Sequence, residues 1–240
     1  MAEPLFLHGW GLHGGIWAET LAQVPGRAPD LPGYGDAPLL APYTAEAIAD
    51  ALAADLAGPV DLVGWSMGGM VTLALAARHP DKVARLVLVG ASPAFVAREG
   101  WPHGLVPEVV AEFARALQQD YRATLQRFLA LQARGDAAAR AVIGRLREAV
   151  LGRGEPRAET LAAGMALLAA VDLRDLAGDV RCPALVVHGA YDALCPVEAG
   201  RWLADVLPDA RLAEHPRASH APFLSHPDWF VAQLRGFLHG

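Results

Sequence analysis

The sequence predicts an α/β domain: a mostly parallel, twisted sheet flanked by helices, with a helical insertion between two of its strands. Three observations point there. Short apolar runs alternate with helical patterns along most of the chain. One run passes through a glycine-rich turn straight into a helix. From about Pro107 to Val171 the patterns are helical only.

The elements follow in order. Pro4 to His8 (PLFLH) reads as a buried strand. Thr44 to Leu56 predicts a helix, with Thr44 as its cap and Ile48, Leu52 and Leu56 at helical spacing. Val60 to Trp65 is a strand, and Met67 to His79 is a helix that stops before Pro80. Val83 to Val89 (VARLVLV) and Ala184 to His188 (ALVVH) are further buried strands. Asp228 to Leu238 reads as the last helix. The sheet core is thus expected from residues 1–94 and 172–240. Residues 95–171 are expected to insert over the strand ends as a lid. Within the lid, Tyr121, Leu125, Phe128, Leu129 and Gln132 share one helical face. Arg127 and Arg134 lie opposite that face, and Arg140 and Arg147 are paired in the same way on the next helix.

Composition narrows the possible functions. With 53% hydrophobic and 19% charged residues, the 240-residue chain can bury a sizeable core, so it is neither disordered nor fibrous. The net charge of −6 argues against general nucleic-acid binding. The charge is uneven: residues 95–157 hold ten arginines against seven acids, which suits docking of a negatively charged partner. The best apolar run, Leu161 to Val171, is too short to span a bilayer. Glu3 and Pro4 interrupt any secretory signal. Cys182 and Cys195 make neither a disulfide framework nor a metal site. A cytoplasmic monomer without metal or cofactor, acting away from membranes, is expected.

Chemistry concentrates at Gly64-Trp65-Ser66-Met67-Gly68, a G-x-S-x-G motif between a strand and a helix. A serine on so sharp a turn is held in a strained conformation, with its hydroxyl lifted off the sheet, and flanking glycines avoid collisions. In the α/β-hydrolase fold, which this motif announces, the partners follow in the order serine, acid, histidine. Asp192, just past the strand ALVVH, and His220, in a loop before the last helix, fit that order and meet at the carboxyl edge of the sheet. His226, ahead of Pro227, is the main rival base. His188 reads as a strand-end histidine, and His8, His13, His79, His103, His215 and His239 have no better claim. Asp205 and Asp179 read as solvated charges, and Asp61 lies at the wrong end of its strand. The oxyanion of acyl transfer needs two N–H donors; the backbones of Met67 and of Trp10, in His8-Gly9-Trp10-Gly11, are expected to supply them. Trp10 and Trp65 would narrow the pocket around Ser66 and favour a small leaving alcohol.

These stretches resemble the pimeloyl-[acyl-carrier protein] methyl ester esterases of biotin biosynthesis over nearly the whole chain. The match is carried by HGWGLHGGIW, DLPGYG, GWSMGG, ASPAF, Trp101-Pro102, RFLALQ, VDLR and ASHAPFLSHP. The resemblance implies the triad Ser66, Asp192 and His220. It also implies substrate contacts from Trp10, Met67, the run Phe128-Leu129-Ala130-Leu131-Gln132, and His220; the apolar lid face adds Leu125. It further implies that lid arginines grip the acidic carrier protein. Arg127 and Arg140 correspond to the family's basic positions, Arg122 and Arg145 are displaced by one residue, and Ala123 replaces another. The chain begins almost directly at the HGWG strand, where the family has a preceding hairpin, so either a shorter sheet or a start further upstream is expected. A broad carboxylesterase acting on small free esters would use the same triad. A haloalkane dehalogenase would need a carboxylate at Ser66. A non-catalytic binding protein of this fold could dispense with a triad member, whereas all three are in place here.

Overall fold

The computed structural model describes residues 2–152, 154 and 156–240. Five strands, β1 (Pro4–Leu7), β2 (Val60–Trp65), β3 (Val83–Val89), β4 (Ala184–Gly189) and β5 (Ala210–His215), form one sheet in the order β1-β2-β3-β4-β5. Every neighbouring pair is parallel, so the sheet is more uniform than the mostly parallel one expected. β2, β3 and β4 are almost wholly buried, as the central strands of a covered parallel sheet must be. The edges differ. On the β1 side, Arg27 exchanges backbone hydrogen bonds with Phe6 and Pro4 (2.7 and 2.9 Å), which covers the edge. β5 was not anticipated: in ARLAEH only Ala213 is buried, and an edge strand this polar leaves no apolar run to read.

The helices are α1 (Ala18–Leu21), α2 (Ala45–Asp55), α3 (Met67–Arg78), α4 (Pro107–Gln119), α5 (Tyr121–Leu131), α6 (Ala139–Gly152), α7 (Ala158–Ala170), α8 (Arg174–Ala177), α9 (Val197–Val206), α10 (Pro222–Ser225) and α11 (Pro227–Leu238). Thr44 caps α2 as expected, its hydroxyl accepting the Ala47 N–H at 3.1 Å. α3 is buried without a break from Met67 to Ala76, because it lies against β2 and β3 while α2 covers its outer side. Trp17 stacks on Phe223 (4.3 Å between centroids) and faces Phe230 (6.2 Å), and Phe223 meets Trp65 edge-on. Each such ring removes ~150–250 Å² from water, roughly 4–6 kcal/mol of apolar transfer. This cluster seats the segment that follows His220.

Between β3 and β4 the described residues form the five helices α4 to α8 and no strand, in keeping with the helical patterns from Pro107 to Val171. Pro107 opens α4, and Asp120 caps α5 by accepting the Ala123 N–H. α4 packs on α5 and α7, and α5 packs on α6. Polar contacts hold the insertion to the core. The Trp10 indole N–H donates to Leu161 O (3.0 Å). Arg145 donates to Leu224 O (2.8 Å), and Arg157 to Gly33 O and Ala37 O (2.7 Å each). Among the described residues no helix is long and apolar enough to cross a membrane.

Candidate active site

Ser66 lies between β2 and α3 with φ 56° and ψ −120°, the only non-glycine residue at positive φ among those described. Such a backbone costs ~1–3 kcal/mol and persists only where its surroundings enforce it. They do so through glycines. A Cβ on Gly64 would lie 2.3 Å from Thr72 Oγ1 and 2.5 Å from Gly68 O; one on Gly68 would lie 2.5 Å from Leu7 O. The collisions expected from the motif are therefore the ones found. β2 can pass into α3 only where both positions lack a side chain.

His220 and Asp192 meet as expected. His220 Nδ1–H donates to Asp192 Oδ2 at 2.7 Å, and the His220 ring is fully buried. Asp192 Oδ1 accepts the N–H groups of Leu194 and Cys195, both at 2.9 Å, which fixes the carboxylate within its own loop. Burial alone would raise the Asp192 pKa. Attraction to the His220 imidazole and hydrogen bonds from His188 and His220 outweigh it and hold the carboxyl far below its ordinary range. Gly90 ties this pair to Ser66. The Ser66 N–H donates to Val89 O, and Gly90 then turns at φ 50° so closely beneath the pair that a Cβ would lie 2.8 Å from His220 O and 3.3 Å from Asp192 Oδ2. His220 Nε2 is buried and has no hydrogen-bond partner. With Nδ1–H held by Asp192, Nε2 is the basic nitrogen of the ring, able to take a proton from a hydroxyl.

The HGWG turn closes over the serine, since a Cβ on Gly9 would lie 3.2 Å from Ser66 Cβ. Met67 opens α3, so its N–H has no acceptor within the helix. The Gly11 N–H is taken by Tyr34 Oη (3.0 Å). His8 supports the turn as a neutral imidazole: Nδ1–H donates to Gly9 O and Nε2 accepts the Leu31 N–H. Burial drives its pKa down to about 4, against the partly offsetting Gly9 carbonyl.

The residues expected to bind substrate divide between two faces. Leu125, Phe128, Leu129 and Gln132 are buried beneath α5, and Phe128 packs edge-on against Trp10 at 4.8 Å. The Gln132 side-chain oxygen is buried without a partner. Ala130 and Leu131 turn away, lining an outer groove of about 590 Å³ with Arg127 and Arg134. A helix of 3.6 residues per turn cannot direct five consecutive side chains to one side. Trp65 is buried, and its indole N–H donates to His220 O at 2.9 Å, a tie between nucleophile strand and histidine loop that the motif did not reveal.

The arginines divide too. Arg122, Arg127 and Arg140 are exposed. Arg145 is instead bound to Leu224 O and Glu19 (3.0 Å), which makes it an anchor of α6.

The rival histidine, His226, lies tilted against His215 with ring centroids 3.8 Å apart and hydrogen-bonds Ser225 Oγ. His188 stands closer to the chemistry than its strand-end position suggested. It is fully buried, donates Nε2–H to Cys195 O at 2.7 Å, and lies 3.3 Å from Asp192 Oδ2. Its signal was the spacing from the strand end to Asp192. Asp61, at the start of β2, pairs with Arg85 (3.4 Å). Among the described residues no cluster of three His, Cys, Asp or Glu side chains is gathered for a metal ion.

Comparison with known proteins gives the fold and the family. The alpha/beta hydrolase fold family matches residues 5–227. The chain is 47% identical to a pimeloyl-[acyl-carrier protein] methyl ester esterase of Chromobacterium violaceum, covering 97% of this chain and 92% of that protein. It is also 47% identical to the protein of the same name from Aromatoleum aromaticum, over 99% and 98%. An esterase from Exiguobacterium antarcticum superimposes with a TM-score of 0.87 at 22% identity, covering 100% of this chain and 92% of that one. The chain belongs to the pimeloyl-[acyl-carrier protein] methyl ester esterase family of α/β hydrolases.

Proposed function

We propose that this protein hydrolyses the methyl ester of a pimeloyl chain carried on acyl-carrier protein, releasing methanol and leaving the free carboxylate on the carrier, a step of biotin biosynthesis. One observation carries the chemistry: the buried, unpartnered His220 Nε2, on a ring whose other nitrogen is held by Asp192, in a chain that also holds Ser66 in a strained turn. The relatives' names supply the substrate.

Ser66 Oγ attacks the ester carbonyl while His220 Nε2 takes its proton and Asp192 stabilises the resulting imidazolium. The Trp10 and Met67 N–H groups receive the oxyanion; losing one such donor typically costs ~100- to 1000-fold. His220 then protonates departing methoxide as methanol. Water enters, gives its proton to the same nitrogen and attacks the acyl-enzyme, and Ser66 leaves with that proton. Residues 95–171 act as the lid. Its buried face, Leu125, Phe128 and Leu129, holds the acyl chain beside Trp10, and Gln132 offers an amide to the chain's polar groups. Trp65 contributes by holding the His220 loop. Arg122, Arg127 and Arg140 present positive charge to the acidic carrier, while Arg145 steadies the helix that bears Arg140. The protein acts as a cytoplasmic monomer, without cofactor, nucleic-acid or membrane partner.

The test compares hydrolysis of carrier-bound pimeloyl methyl ester with the same ester free, using Ser66→Ala as blank. The variant is expected to lose activity on the order of 10⁶-fold. Wild type is expected to prefer the carrier-bound ester strongly. Equal rates on both substrates would reduce the protein to a general carboxylesterase. A wild type that neither hydrolyses ester nor takes a fluorophosphonate label would be a binding protein.

A further inference from the structure

Asp136 lies in the turn between α5 and α6, in the insertion, with its side chain 1% exposed. Its Oδ1 accepts the Ala138 N–H at 2.8 Å, at the entrance to α6. Its Oδ2 accepts the Ser219 N–H at 3.2 Å. Ser219 immediately precedes His220. The next donor along, the His220 N–H, ends on Gln132 O at 3.1 Å, at the close of α5. Two consecutive backbone donors of the histidine loop therefore terminate on acceptors of the insertion. The loop's other ties run to the core: Trp65 to His220 O, and the Ser219 hydroxyl to Tyr191 O at 3.2 Å.

Capping α6 alone would need only one short oxygen, which serine supplies as well as aspartate. The second carboxylate oxygen is spent on the loop, and a hydrogen bond to a charged acceptor is about twice as strong as a neutral one. Deleting it leaves a buried N–H unsatisfied on the residue adjoining the base. One other titratable side chain approaches Oδ2: His226, with Nδ1 at 3.9 Å, its ring tilted against that of His215.

We propose that Asp136 is a positioning residue for His220. Its carboxylate fixes the Ser219–His220 backbone so that the imidazole is held between Asp192 and Ser66. The α5–α6 turn is on this account a working part of the catalytic apparatus, and only other parts of the insertion are free to open. The inference rests on His220 being the base.

The experiment measures fluorophosphonate inactivation rate, kcat and KM, and melting temperature for Asp136→Ser, Asp136→Asn and Arg157→Ala, with His220→Ala alongside. Serine keeps the α6 cap but is too short to reach Ser219. Asparagine keeps the size and one acceptor oxygen. Arg157→Ala loosens the insertion elsewhere, by removing the guanidinium bonds to Gly33 O and Ala37 O. Small displacements of catalytic groups cost up to ~100-fold. Asp136→Ser is therefore expected to lose tenfold or more in both inactivation rate and kcat, with KM within about twofold. Asp136→Asn should fall between it and wild type. Arg157→Ala should lower the melting temperature while labelling within about twofold of wild type. The proposal is overturned if Asp136→Ser labels at the wild-type rate, or if all three variants lose activity in proportion to melting temperature. A His220→Ala protein that labels as wild type does would sink the reading of the base, and this inference with it.

Discussion

The sheet core and the helical insertion hold their functional groups in different ways. In the core, Ser66, Asp192 and His220 sit at the ends of β2, β4 and a short loop. Close backbone packing fixes them: glycines at 64, 68 and 90 leave no room for a side chain. The insertion shares apolar packing with the core, as where Phe128 meets Trp10, and adds polar links from Arg145, Arg157, Asp136, Gln132 O and Leu161 O, each spanning a long separation in sequence. The first arrangement tolerates almost no displacement. The second can lose a link and stay folded. Changes in the core should therefore damage the chemical step, and changes on the insertion's surface should alter which substrate is favoured.

The sharpest break in that contrast is Gly90→Ala. The new methyl would lie 2.8 Å from His220 O and 3.2 Å from His220 Nδ1, on a backbone at φ 50° that alanine resists. We expect kcat to fall by ~100-fold or more with a much smaller change in KM. Steady-state kinetics on a free methyl ester would decide it. A kcat near wild type would mean that the turn after β3 relaxes, and that the core is less rigid than its packing implies.

On the insertion, the double change Arg127→Glu and Arg140→Glu should leave the fold intact, since both side chains are exposed. The ratio of kcat/KM on carrier-bound ester to that on free ester is expected to drop about tenfold at low salt, and less at high salt. An unchanged ratio would remove these arginines from carrier recognition. The contrast would then need another surface, such as the groove between Phe113 and Arg134.

The two regions were also unequally legible in the sequence. β2 and β3 were placed to the residue, because a buried parallel strand is a continuous apolar run bounded by turn residues. Ser66, Asp192 and His220 were placed by motif and chain order. β5 escaped because an exposed edge strand lacks that run. The helices of the insertion were legible as a block, and the buried face of α5 by its spacing. The links of the insertion to the core were not. Asp136, Arg145 and Arg157 bond to backbone groups dozens of residues away or more, and such contacts impose no periodicity near either partner. His188 was readable as a strand end, but its approach to Asp192 depends on how the loop from 190 to 195 folds back.

A last test asks whether the core carries its own sensitivity to acid. Folding holds His8 neutral, with its pKa lowered from 6.5 to about 4 chiefly by burial. The unfolded chain takes up that proton as the pH drops through 6.5, while the folded protein resists until about 4. The contribution of His8 to stability is thus complete above pH 6.5 and is lost progressively down to about pH 4, at most roughly 3 kcal/mol. His8→Gln offers an acceptor in place of Nε2 and cannot titrate. It should be less stable than wild type at pH 8, because the Gly9 contact is lost, yet decline less between pH 6.5 and 4.5. Urea denaturation at several pH values gives the difference between the two curves, in which every other titrating group cancels to first order. Parallel curves would show that His8 is not the sensor. Converging curves would place part of the acid lability directly beneath the HGWG turn, so mild acid would loosen the site from the core side before any link of the insertion is broken.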